Sequence, residues 1–165
     1  MIDVNKVREQ FSIYTSQPDL VYLDSAATSL TPDMVVDEMT KYYKEYRATV
    51  HRTAYKNGER ADHNYNTTRE KIAKFINADV EEVIFTKGTT TGINSLSRAL
   101  LSTLQSGDEV LVSELEHHSN LLPWREYRQD IELIYVELDQ MSITLEGIKN
   151  AVTDKTKIVS INHVS

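Results

Sequence analysis

The chain contains no cysteine. Disulfides, thiolate metal sites and any cysteine nucleophile supplied by this chain are therefore excluded. Residues that break a fold into pieces are also scarce, with 3 prolines and 5 glycines in 165 residues. The sequence has no Pro/Gly-rich linker, internal repeat or low-complexity tract. Basic residues are outnumbered, 18 Lys and Arg against 25 Asp and Glu, for a net charge of -7. General nucleic-acid and membrane-surface binders attract anions through basic patches, so this balance argues against both classes. No apolar run is long enough to span a bilayer, and the opening Met1-Ile-Asp-Val-Asn-Lys6 lacks the apolar stretch of a signal peptide. A cytoplasmic protein is the expectation. Gly-Lys-Ser/Thr phosphate loops and Gly-x-Gly-x-x-Gly dinucleotide fingerprints are both missing.

The composition that remains is that of a soluble globular chain, long enough for one ordinary domain with a sizeable core. Its most informative stretch runs from Val83 to Ile93. Val83, Ile84 and Phe85 suit a buried strand, Gly88 permits a sharp turn, and Thr89 or Thr90 can cap a helix bearing Ile93, Leu96, Leu100 and Leu104 on one face. The start of such a helix offers free N–H groups, a positive dipole end and threonine hydroxyls, which together can hold a phosphate without a lysine. An ordinary helix cap explains the same spacing.

Before that stretch, Val4, Val7 and Phe11 share a helical face after Asp3, a plausible cap. Val21 to Leu23 reads as extended. The small residues Asp24 to Ser29 either admit close backbone approach or form a connecting loop. Thr31 and Pro32 open a helix at N-cap and N1, with Val35, Met39, Tyr42 and Tyr46 following at helical spacing. His51 and Arg52 fall at a helix junction, where they could meet an anionic substrate or simply be solvated. A long helix over 58–77 places Ala61, Tyr65, Thr68, Ile72, Phe75 and Ile76 on one apparent core stripe.

After it, strands are predicted at Glu109–Ser113, Leu133–Val136 and Lys157–Asn162, with a short helix at Pro123-Trp124 and a Thr144-capped helix carrying Leu145, Ile148 and Val152. The polar segment 114–120 contains His117 and His118. Side chains at i and i+1 diverge and no third ligand is near, so no metal site is expected. Strands alternating with helices predict parallel pairing with right-handed crossovers and ligand binding at the carboxyl ends of strands. The loops holding Thr89/Thr90, His117/His118 and His163 all follow strands and can converge. The last strand ends with no closing helix after it, so the chain reads as cut short.

Six ordered motifs, Val21-Tyr-Leu-Asp-Ser-Ala-Ala27, Val50-His-Arg52, Phe85-Thr-Lys-Gly-Thr-Thr-Thr-Gly-Ile-Asn94, Gly107-Asp-Glu-Val110, Glu116-His-His-Ser-Asn120 with Pro123-Trp124, and Asn162-His-Val-Ser165, resemble the class V aminotransferase superfamily. These are pyridoxal-phosphate enzymes of fold type I, and the motifs are most similar to the group II (SufS-type) cysteine desulfurases. The resemblance implies an α/β fold, the three-layer large domain with a mainly parallel sheet flanked by helices, left incomplete mid-sheet. Residues 1–20 would be an N-terminal segment and 21–165 the N-terminal part of the cofactor-binding domain. It also implies that Thr89 and Thr90 hold the phosphate of pyridoxal 5'-phosphate, and that His117 stacks on its ring and takes part in proton transfer. Ala26, Ala27, His51, Arg52 and Asn120 would lie around the substrate.

The family's cofactor-bonding lysine, its ring-pairing aspartate and its sulfur-accepting cysteine all fall beyond residue 165, and Lys87 does not match that lysine. The implied parent converts L-cysteine to L-alanine, passing sulfur to an enzyme persulfide for iron–sulfur cluster assembly. It would be a cytoplasmic homodimer with a sulfur-acceptor partner, and this portion, about the first two-fifths, would be inactive alone. With its sheet neighbours beyond residue 165, the strand at Val83–Thr86 is expected to be destabilised or rearranged. Thr53, Tyr55 and Thr91 depart from the usual family residues, which leaves open a selenocysteine lyase or another class V relative. A non-catalytic phosphate-binding module is the alternative from a different class.

Overall fold

The computed structural model describes residues 2–51 and 54–164. They form two compact units, divided after Val83.

The first unit is helical. Helix α1 (Val4–Arg8) is capped by Asp3, whose Oδ1 accepts from the Asn5 N–H at 3.1 Å. It is shorter than the Val4 to Phe11 pattern predicts, because the chain turns into a separate short helix, α2 (Ile13–Ser16). Helix α3 (Asp33–Lys41) begins one residue later than expected, with Pro32 at the cap position. It passes into a π-helical turn, Tyr42–Tyr46. Such turns widen a helix locally. Here the turn buries Tyr46 to 4% exposure, while its hydroxyl donates to Glu38 and the Arg60 guanidinium lies 4.0 Å over its ring. Helix α4 (Lys56–Ile76) ends at Asn77, which takes the left-handed conformation at φ 56° common just past a helix end. Of the predicted core stripe, Ala61 is buried but Phe75 is 89% exposed and Ile76 56%. In this unit the far end of α4 packs against the 3-10 turn Val80–Glu82, which is too short to cover them.

The second unit is α/β. Helix α5 (Thr89–Leu101) precedes strand β1 (Glu109–Ser113), followed by α6 (Leu122–Glu126), β2 (Glu132–Val136), a hairpin of β3 (Leu138–Asp139) and β4 (Ser142–Ile143), α7 (Leu145–Ala151) and β5 (Thr156–Ser160). The main sheet has the order β2-β1-β5 and is parallel throughout, with Val110 opposite Leu133 on one side and Ile158 on the other. β1 is the central strand and is buried along its whole length. That accounts for its unbroken apolar run, since a parallel strand covered on both faces has no polar side to show. Val110 and Val112 pack with Leu101, Trp124 and Ile131 in the core. For parallel strands in this order, the general right-handed crossover rule requires the helix between β1 and β2 and the helix between β2 and β5 to lie on opposite faces. Thr144 caps α7 through the Gly147 N–H at 3.0 Å, as the sequence predicts.

One predicted strand is absent. Val83 to Thr86 joins no ladder, and Ile84 is 80% exposed. A strand requires a neighbouring strand to take its ladder hydrogen bonds, and none of the strands β2, β1 and β5 lies beside this segment.

Candidate functional site

In the second unit the connection leaves β1 toward β2, while β5 lies on β1's other side. The gap between the carboxyl ends of β1 and β5 is thus a topological switch point, where open α/β sheets bind ligands. The segment after β1 returns across this gap, and its geometry is specified by a buried polar network.

Glu116 is 9% exposed. Its Oε1 accepts from Ser113 Oγ at 2.9 Å and from the Asn162 backbone N–H at 2.8 Å, and its Oε2 accepts from Asn120 Nδ2 at 2.8 Å. Asn120 Oδ1 accepts from Ser160 Oγ at 2.7 Å and Trp124 Nε1 at 3.2 Å, while Nδ2 also reaches the Ser160 carbonyl at 3.4 Å. Asn120 therefore spends both its donor and its acceptor capacity inside the protein. The structure uses it to tie the 3-10 turn His118–Asn120 to the end of β5.

His117 precedes that turn. Its Nδ1 accepts from the Ser119 N–H at 3.1 Å and lies 2.9 Å from Ser119 Oγ. An accepting Nδ1 carries no proton, so the neutral ring keeps its hydrogen on Nε2. The His118 ring is 6.3 Å away and tilted by 53°, a divergence in keeping with adjacent residues. Among the described residues no group of three or more His, Asp or Glu side chains is placed to hold a metal ion.

His117 and Thr90 line one cavity of about 440 Å³, together with Asn94, Leu122 and Tyr127. Thr90 lies in the first turn of α5, whose leading N–H groups have no carbonyl partners within the helix. The cap is Gly88 rather than a threonine side chain: its φ of 144° and ψ of 174° belong to a region only glycine occupies at ease. Both threonine hydroxyls are thus released from capping, and Thr89 begins the helix beside Thr90. Asn94 Nδ2 donates to the Thr90 carbonyl at 2.8 Å and Asn94 Oδ1 accepts from Tyr127 Oη at 2.6 Å, which binds α6 to the first turns of α5. The Arg98 guanidinium stacks 4.5 Å over the Tyr127 ring.

Four of the remaining sequence-predicted residues belong to the first unit or lie outside the described residues. Ala26 and Ala27 are in an exposed turn closed by the Ala27 N–H to Asp24 carbonyl bond at 3.1 Å. His51 has φ 69°, donates its backbone N–H to Asp62, and meets Tyr65 edge-on at 5.1 Å. Arg52 lies outside the described residues. Sequence reasoning passed over Glu116, Ser119, Asn94 and Tyr127. Asn94, four residues after Thr90, and Ser119, two after His117, carried local signals; the bonds that reach the end of β5 join Asn120 to Ser160, 40 positions away, and Glu116 to Asn162, 46 positions away.

The site fits a planar phosphorylated cofactor. A helix N-terminus with a hydroxyl suits the phosphate, and across the same cavity an imidazole offers a flat face to an aromatic ring. The α5 start and the cavity, not any single residue, make the fit.

Comparison with known proteins bears on the same point. The family model for Aminotransferase class-V matches residues 21–165. A probable cysteine desulfurase of Staphylococcus aureus is 40% identical over 99% of this chain, and one of Halalkalibacterium halodurans is 38% identical. The chain spans 41% of the length of the first and 42% of the second. Among solved structures, an apo cysteine desulfurase from Thermococcus onnurineus aligns over 100% of this chain and 41% of its own, with a TM-score of 0.91 and 34% identity. A cysteine desulfurase from Escherichia coli covers 96% of this chain, with a TM-score of 0.81 and 32% identity. With a matching family model over most of its length and relatives of this identity, the chain belongs to the class V aminotransferase family, on the fold of the pyridoxal-phosphate enzymes of fold type I.

Proposed function

We propose that the chain is the N-terminal part of a pyridoxal-phosphate-dependent cysteine desulfurase of the SufS type. It would release L-alanine from L-cysteine and pass the sulfur to a cysteine elsewhere in the protein, for iron–sulfur cluster assembly. The observation that carries the reading is the shared cavity of Thr90 and His117. When bound, pyridoxal 5'-phosphate supplies an electron sink for bond cleavage at the substrate's α-carbon. The chain's own residues supply placement. Thr89 and Thr90, with the first N–H groups of α5, hold the phosphate. His117 lies against the ring and presents the Nε2 proton, its Nδ1 being engaged by Ser119. Leu122 and the Tyr127 ring supply the apolar lining of the same cavity. Ala26, Ala27, His51 and Arg52 contribute to the substrate side, and Asn120 acts there through the loop it anchors. Residues 21–165 would form the first part of the large cofactor-binding domain and 1–20 a leading segment. The whole protein would work as a cytoplasmic homodimer with a sulfur-acceptor protein.

The test is alanine formation from L-cysteine by the protein at its native length, with cofactor added. His117→Ala is expected to lower kcat by about 10²–10⁴-fold while the protein still folds, the range for loss of a proton-transfer group. The 165-residue chain alone, which has no cysteine to receive sulfur, is expected to match a free-cofactor blank. No alanine from the native-length protein, or full activity in His117→Ala, would overturn the reading.

A further inference from the structure

Two donor-only groups fix the sense of the main bonds in the network around Glu116. Trp124 Nε1 only donates, so Asn120 must turn its Oδ1 toward it. Asn120 Nδ2 then faces Glu116, and Glu116 Oε2 must accept. The Asn162 backbone N–H also only donates, so Glu116 Oε1 must accept as well. A carboxylate meets this demand at both oxygens, whereas an amide would set a donor against a donor. The three donors come from three segments, Ser113 at the end of β1, Asn120 in the turn and Asn162 beyond β5. At 9% exposure, a donor facing one of those donors cannot be relieved by bulk water.

We infer that Glu116 is a positioning residue of the site: as a carboxylate it fixes the His117 turn against the carboxyl ends of β1 and β5, and so fixes the place and the tautomer of the His117 ring. The tautomer depends on the Ser119 N–H reaching Nδ1, and Ser119 lies between His117 and the Asn120 that Glu116 holds. Loss of the Glu116–Asn120 bond frees the turn to rotate, which moves the imidazole relative to Thr90 across the cavity. Glu116 itself does not line that cavity. This inference rests on the role proposed for His117.

The test uses the native-length protein labelled with 15N at histidine, first without cofactor and then with it. Wild type is expected to show His117 with an unprotonated, accepting Nδ1 and a protonated Nε2. In Glu116→Gln this pattern is expected to give way to mixed tautomers, and kcat to fall about tenfold with KM within about twofold, as for a catalytic group misplaced by a fraction of an ångström. The reciprocal variant Glu116→Gln/Asn120→Asp reverses donor and acceptor across the 2.8 Å bond and keeps the charge, but turns an oxygen toward the Ser160 carbonyl that Asn120 Nδ2 meets at 3.4 Å; it is expected to bring the His117 pattern and kcat part of the way back. Should Glu116→Gln fold poorly, Ser113→Ala removes one donor and is expected to shift the same resonances by less. His117 resonances in Glu116→Gln that overlay wild type, or a double variant no closer to wild type than the single one, would overturn the inference. Wild type that binds no cofactor would defeat the proposed function instead, and the cofactor-free spectra would still decide the role of Glu116.

Discussion

At the scale of single residues, the charges that titrate abnormally are engaged by hydrogen bonds rather than by burial. The Tyr46 hydroxyl donates to Glu38 and holds that carboxyl below its usual range, with Lys41 and Arg60 adding to the effect. The Ser12 side chain, and after it the Ser12 N–H, does the same for Asp33, and the Arg128 guanidinium for Asp130. Arg128 also donates to the Leu101 and Leu104 carbonyls at 2.9 and 2.8 Å, satisfying the open end of α5. A carboxyl whose folded-state pKa is depressed adds stability above its ordinary pKa, and that stability is lost as pH falls through the folded value. All three act in the same direction. The urea midpoint is therefore expected to be flat near neutrality and to decline below about pH 4. Tyr46 is shifted upward by the same bond, so a second decline is expected above its ordinary value of 10.0, and Tyr46→Phe should abolish it. A midpoint unchanged between pH 6 and 3 would contradict the assignment. None of these pairings was legible in the sequence. Glu38 and Tyr46 are eight residues apart, and only the π-helical turn, which no hydrophobic pattern marks, brings them together.

At the scale of elements, the legible parts were those whose cause is local. β1 was read residue for residue because an apolar run bounded by Gly107-Asp108 and a polar segment admits few alternatives. α7 was legible because Thr144 performs the cap its position suggests. Val83 to Phe85 has as good a strand pattern as β1, yet joins no strand ladder, since composition records the tendency to pair and not the presence of a neighbouring strand. In the 165-residue chain the Ile84 amide is expected to exchange with solvent far faster than that of Val112, and comparable protection would show that a ladder forms there. The β3–β4 hairpin carries a different conflict. Gln140 and Met141 sit at φ 47° and 63°, the conformation of a type I′ turn, which favours Asn-Gly. Holding these two residues left-handed costs roughly 1 kcal/mol or more. Met141 is 73% exposed, so the side chain exchanged contributes little burial. Gln140→Asn with Met141→Gly is expected to raise Tm by about 3 °C. An unchanged or lower Tm would mean the turn is not strained as its angles imply.

At the scale of the whole molecule, a chain of 41% of the length of its Staphylococcus aureus relative carries the start of α5 and His117 on one cavity of one compact unit. The position of these groups follows from topology. The strand order reverses at β1, the segment after β1 is drawn across the switch point by Glu116 and Asn120, and α5 is bound to α6 by Asn94 and Tyr127. The sequence motifs pointed to Thr89, Thr90 and His117, but not to the network that holds the His117 turn, because Ser160 and Asn162 approach Asn120 and Glu116 only in the folded sheet. The most direct test of this account is a titration of the native-length protein with pyridoxal 5'-phosphate and with pyridoxal, which differs only by the phosphate. Two or three charge-assisted bonds at the start of α5 predict phosphorylated cofactor binding tighter by about 30-fold or more, with most of that margin lost in Thr90→Val. Equal affinity for the two compounds, or a margin untouched by Thr90→Val, would show that the start of α5 is not a phosphate site.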